Sequence, residues 1–224
     1  MRQAPAALAL AAALGLLLPG PAVTDTAGVE AIVKDERGKP VADAVVSLTA
    51  PGTATPAPRA TAAAIMDQQN KEFVPFVLPV LVGTPVTFPN RDNIRHHVYS
   101  FSAAKRFELP LYTGTPGAPV VFDKPGSVVL GCNIHDWMVG HVYVLATPYF
   151  ARTGEEGRAR IAELAPGAYE ARVWHPRLKT DTDKTTMPVT VTAGEPAQVT
   201  FWVALKPDRR PIRRPGYEGA QGGG

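Results

Sequence analysis

Between Ala62 and Thr147 no stretch of the chain carries an apolar repeat of helical period. It carries instead a series of short, β-rich apolar runs cut by turn residues. Phe73–Val82 stops at Gly83-Thr84-Pro85, and Val86–Phe88 stops at Pro89-Asn90. Val98–Phe101, Val120–Phe122, Val128–Leu130 and His141–Leu145 are further runs of the same kind. Short strands with turn signals at this spacing predict an antiparallel, all-β sandwich. The 23 prolines, 20 glycines and only 19% charged residues fit many turns and few helices.

The flanking segments repeat the style. Val29–Val33 alternates apolar and polar residues, Asp35-Glu36-Arg37-Gly38 reads as a turn, and Pro40–Leu48 as a second strand. Pro51–Arg59 is too rich in Pro, Thr and Ala for an element and reads as a linker. Beyond Thr147, a turn over Thr153–Arg158 precedes two strands around Pro166-Gly167, and Val189–Thr192 and Gln198–Ala204 give two more. The segments VKDERGKPVADAVVSL and GRARIAELAPGAYEARVWHP resemble the two halves of a carboxypeptidase-regulatory-like (transthyretin-like) β-sandwich. The resemblance implies that residues 23–50 and 148–205 form one small Ig/transthyretin-like sandwich. The 62–147 unit is then inserted in one of its hairpin connections through a linker over 51–61. Two sandwiches in tandem are the alternative.

Met1–Ala22 has the make-up of a secretory signal peptide: Arg2, the apolar run Ala6–Leu18, then Gly20-Pro21-Ala22. Cleavage is expected after Ala22, with Ala27 the second choice. The apolar run is too short for a comfortable transmembrane anchor, so a periplasmic destination is expected. Export makes the cysteine count informative. The chain has one cysteine, Cys132, which has no partner for an internal disulfide. The net charge of +3 is concentrated in the tail, 206–224, which carries five basic and two acidic residues and reads as disordered. Without the tail and Arg2, seventeen basic residues face eighteen acidic ones, which gives nucleic-acid binding no support.

Cys132 lies in GCNIHDWMVGHVYV, Gly131–Val144, with His135 three residues on and Met138 three beyond that. A second imidazole pair, His96-His97, lies upstream. Two imidazoles, a thiolate and a thioether make up the donor set of a mononuclear blue-copper site. Each residue has a plainer reading: Cys132 as a buried small residue, Met138 as core packing, a lone histidine as surface or satisfied core. A Cys-His nucleophilic pair is a further reading, although such pairs are normally distant in sequence. Zinc accepts C-x-x-H but usually takes more thiolates or carboxylates. Neighbouring strand residues point to opposite faces, so only one of His96 and His97 should be a ligand.

VTFPNRDNIRHHVYSF followed by GCNIHDWMVGHVYV resembles the cupredoxins, above all amicyanin with its short C-x2-H-x2-M loop, and then plastocyanin. The two-unit chain also resembles longer bacterial plastocyanin-like proteins named for methylamine utilization. The resemblance implies a cupredoxin Greek-key sandwich holding one copper ion, Cu(I)/Cu(II), through His96, Cys132, His135 and Met138. The family's usual Pro before the first His is Arg95 here, its Asn after it is His97, and its frequent Pro before the second His is Ile134. A contact between His97 and Asn133 is therefore expected to orient the loops in place of that Asn. Asn90 and Trp137 are the other expected supports, Trp137 as an apolar rim on the His135 edge. Asp136 is expected to be solvated or to cap the turn, His141 to lie at the surface, and His175 to be structural.

These readings imply a monomeric periplasmic carrier of single electrons between a protein donor and acceptor. It is expected not to be an enzyme, because four protein ligands leave no open metal position. Copper handling without electron transfer, and an envelope interaction module, are the alternatives.

Overall fold

Residues 27–52 and 62–208 are described in the computed structural model. The signal segment 1–22, most of the linker and the tail beyond 208 lie outside the described residues. In chain order the strands are β1 Ala27–Asp35, β2 Val45–Thr49, β3 Ala64–Ile65, β4 Asp67–Gln69, β5 Glu72–Val74 and β6 Val77–Leu81. Then come β7 Thr84–Thr87, β8 His96–Ser102, β9 Lys105–Tyr112, β10 Val120–Phe122, β11 Gly126–Leu130 and β12 Gly140–Leu145. The chain continues with β13 Phe150–Arg152, β14 Arg158–Leu164, β15 Gly167–Trp174, β16 Met187–Val191 and β17 Ala197–Val203. One 3₁₀ turn, Thr182–Thr185, interrupts them, and no α-helix occurs among the described residues. The all-β expectation is met.

One core is built from the two ends of the chain. Sheet β14-β1-β17 and sheet β13-β2-β15-β16 share it. In β17 the period-2 pattern is plain: Val199, Phe201 and Val203 are buried while Gln198, Thr200 and Trp202 are exposed or half-buried. β1 pairs in parallel with β17 and antiparallel with β14, so it is closed on both edges. Its Val29 and Val33 are fully buried, each worth about 1.5–3 kcal/mol of apolar transfer.

A second core comes from the middle of the chain and gathers Phe88, Phe122, Leu130, Val142 and, with them, Cys132 and Met138. Here β7 lies between β10 and β3, β12 lies between β11 and β6, and β8 and β9 form a hairpin. Tyr99 and Gly131 exchange both backbone hydrogen bonds, at 3.1 and 3.0 Å, which brings β8 beside the end of β11. A Cβ at residue 131 would lie 2.7 Å from the Tyr99 ring, so any larger residue has to displace that ring.

Several expectations are adjusted. The run Phe73–Val82 is two strands, β5 and β6, because the chain changes partners at Pro75: β5 pairs with β4, β6 with β12. β7 begins inside the expected turn, and the strand expected from Pro40 begins at Val45. β9 was not expected at all.

The two cores meet at a seam of Val45, Val77, Leu145 and Trp174. The Trp174 ring stacks on Tyr143, with centroids 4.2 Å apart and planes 3° from parallel. His141 belongs to this seam. Expected at the surface, it is half-buried, edge-on to Phe76 at 5.1 Å and to Trp174 at 6.3 Å. Packing against β15 covers it.

Candidate metal centre

Three segments converge on Cys132. The loop after Gly131 runs as a tight turn in which the Met138 N–H donates to the His135 carbonyl at 2.9 Å. Its burial repeats every third residue. Cys132, His135 and Met138 are buried, while Asn133, Ile134, Asp136 and Trp137 face outward. The C-x2-H-x2-M spacing is thus a spacing of inward-facing side chains.

His96 arrives from the start of β8 and is fully buried. Its Nδ1 lies 3.9 Å from Cys132 Sγ, and His135 Nδ1 lies 3.9 Å from the same sulfur. One donor atom from each of the three residues falls within 4.8 Å of the others. The imidazoles stand edge to face, with centroids 5.0 Å apart. Metal bonds of about 2.0–2.3 Å, fanned at trigonal angles, separate their donors by about 3.7 Å. The three atoms are therefore spaced to share one ion. A thiolate with two imidazoles is a donor set that copper accepts. Met138 is buried in the same cluster as Cys132.

His96 is held from behind. Its Nε2 bonds Asp92 Oδ2 at 2.7 Å. With the Nε2 proton donated to the carboxylate, Nδ1 keeps its lone pair for the site. Asp92 also accepts the backbone N–H of Asn70 and Lys71, at 2.6 and 2.8 Å. Burial works to raise its carboxyl, but the bonds from His96 and the two amides outweigh it and hold it below the usual carboxylate range. Asn90 shapes the loop: its Nδ2 donates to the carbonyls of Ile94 and Tyr112, and its Oδ1 accepts the Asp92 N–H.

Solved structures are similar to part of this chain. The Cu-containing nitrite reductase from Thermus scotoductus SA-01 is similar at 27% identity over 38% of this chain, with a TM-score of 0.35. The chain spans only 22% of that enzyme's length. A purple cupredoxin from Nitrosopumilus maritimus is similar at 28% identity over 38% of this chain and all of its own, with a TM-score of 0.33. An oxidised mutant of amicyanin is similar at 23% identity over 44% of this chain and 99% of its own, with a TM-score of 0.35. No family profile and no curated relative matches the chain.

The second histidine departs from expectation. Between His96 and Val98 the hairpin register shifts, with β9 using one extra residue. Both histidines are buried, but His97 turns away from the sulfur. Its Nε2 bonds Glu108 at 2.8 Å and its ring lies 5.5 Å from Tyr99. The expected hydrogen bond to Asn133 is not made: Nε2 is taken by Glu108, and Nδ1 has no hydrogen-bond partner. Trp137 is 36% exposed, with its ring 5.2 Å from that of His135. His175 is buried, and its Nδ1 accepts the Arg177 N–H.

Sequence reasoning missed Asp92, Glu108 and Tyr112. Burial pushes the Tyr112 hydroxyl up to about 12, opposed by the Gln68 hydrogen bond and reinforced by Cys132. The hydroxyl donates to the Phe88 carbonyl at 2.6 Å. The one available signal was a carboxylate four residues before His96. In an irregular loop that spacing fixes no direction.

Proposed function

We propose that this chain is a copper protein of the cupredoxin kind that carries single electrons. His96, Cys132 and His135 would hold one ion, with Met138 as a weaker fourth donor. When bound, the copper supplies a one-electron Cu(II)/Cu(I) couple. The carrying observation is the pair of imidazole nitrogens, each 3.9 Å from a buried cysteine sulfur.

The protein's own residues account for the rest. Asp92 fixes the His96 ring so that its free nitrogen faces the sulfur. The turn from His135 to Met138 ties the other donors to one backbone loop. The surrounding core excludes water, and a site held in one shape accepts either charge with little rearrangement. The Trp137 ring borders His135 on the outward side, where a protein donor or acceptor would approach.

The reading extends to the whole chain. Residues 62–147 form the copper unit, inserted through a 51–61 linker into an outer sandwich of 23–50 and 148–205, with 206–224 as a basic tail. The two separate cores support that division. This is the longer form resembling the proteins named for methylamine utilization. The signal segment over 1–22 directs the chain to the periplasm, where it works as a monomeric carrier between redox proteins and not as an enzyme. No helix among the described residues is long and apolar enough to cross a membrane.

Visible and electron paramagnetic resonance spectra with one equivalent of Cu(II) test the reading. An intense thiolate-to-copper band is expected, absent in Cys132→Ser. A pale spectrum, or a preference for zinc, would move the function to metal handling.

A further inference from the structure

A groove of about 780 Å³ runs between the metal loop and the outer sandwich. That volume falls within the range of about 300–1,000 Å³ typical of small-molecule sites. Its walls have two characters. Phe76, Trp137 and His141 supply aromatic rings. Arg177 Nε and Asp208 Oδ2 face each other at 3.9 Å, and Asp136 and Lys206 bring one further charge of each sign. Among the described residues the groove is thus aromatic and, in formal charge, balanced. Its geometry is partly fixed: Phe76 and His141 stand edge to face, and Arg177 Nη1 donates to the Lys206 carbonyl at 3.1 Å. A charged guest would leave two of the four charges opposed by their own sign. A neutral planar ring would stack on the aromatic wall, and hydroxyls on it would bond to the carboxylates and cations.

The location adds a second constraint. Trp137 lines the groove on one side and packs on the His135 ring at 5.2 Å on the other. A ring seated on Trp137 is one side chain from the metal ligand. We propose that this groove binds a neutral dihydroxyarene, a hydroquinone or catechol, as a small-molecule electron donor to the centre. The electron-transfer half rests on the copper reading above. In each encounter one O–H of the guest gives up one electron and one proton. The electron would pass by Trp137 and His135 to a Cu(II) ion held there, leaving Cu(I), and the proton would go to bulk water through the open side of the groove. The guest leaves as a one-electron-oxidised radical, and two such radicals disproportionate to one quinone and one dihydroxyarene.

The test begins with metal-free protein and hydroquinone under anaerobic conditions, followed by nuclear magnetic resonance. Saturable shifts are expected at the Trp137 indole and the His141 ring, with a midpoint on the order of 1 mM. Trp202, exposed on the outer sandwich, should stay still. Trp137→Ala should weaken binding about tenfold, the worth of one lost aromatic stack, and Trp137→Phe should restore most of it. Shifts that never saturate, equal shifts at Trp202, or an unaffected Trp137→Ala would overturn the site. The same titration on copper-loaded protein reads the second half. The rate of bleaching of the thiolate band should saturate at the same midpoint, and a rate strictly linear in hydroquinone would overturn donation from the groove. Failure of the copper reading itself shows separately, as the lack of that band before any hydroquinone is added.

Discussion

Asp92 is a single carboxylate with three partners: two amides from the β4–β5 turn and the far nitrogen of His96. Asp92→Ala should lower metal affinity about 10- to 100-fold, the usual result of freeing a ligand histidine, measured by competition with a chelator. Asp92→Asn keeps an acceptor oxygen and should cost less. Gly131 is constrained by Tyr99: in Gly131→Ala the new methyl would meet the ring at 2.7 Å. A loss of about 1–3 kcal/mol is expected in urea unfolding, and Gly131→Ala combined with Tyr99→Leu should recover part of it. Tyr112 gives a pH signature. The folded protein holds its proton to about 12, whereas an unfolded tyrosine releases it near about 10. Its contribution to stability is therefore complete below about 10 and lost as pH rises toward 12. Tyr112→Phe should flatten the stability curve in that window.

At the scale of elements, the strands that the sequence announced are those whose apolar residues meet a core. β11, β12, β14, β15 and β17 stand where their β-rich runs and the turn signals between them predicted them. β9 escaped notice because Lys105-Arg106 opens it and Pro110 lies within it. The structure explains the proline: β9 pairs only with β8 and is an edge strand, where a missing N–H costs no ladder bond. The metal loop was legible for a different reason. Its residue types have few other uses in combination, and their spacing of three matches the turn that buries them. His97 was not legible, since the register shift beside it depends on a strand that was not expected. Gly140, at the start of β12, illustrates how tightly the loop is anchored. A Cβ there would lie 2.7 Å from Phe73 Cβ, so Gly140→Ala should destabilise the protein by about 1–3 kcal/mol, visible as a lower urea midpoint.

Across the molecule, the two cores touch through a small seam whose largest side chain is Trp174. Trp174→Ala removes the stack on Tyr143 and should cost about 3–5 kcal/mol. Each core keeps its own sheets, so calorimetry of this variant should resolve two transitions. The strand β1 has a consequence in time. Its partner for Glu30 in β17 is Gln198, 168 residues further along. Synthesis proceeds at about 5–20 residues per second, so β1 waits on the order of ten seconds or more for its neighbour to exist. The middle segment draws its core from residues 66–144 and needs nothing made later. A chain that emerges N-terminus first into the compartment where it folds therefore passes through a stage in which the metal-binding half is complete and its host sandwich is still awaiting closure.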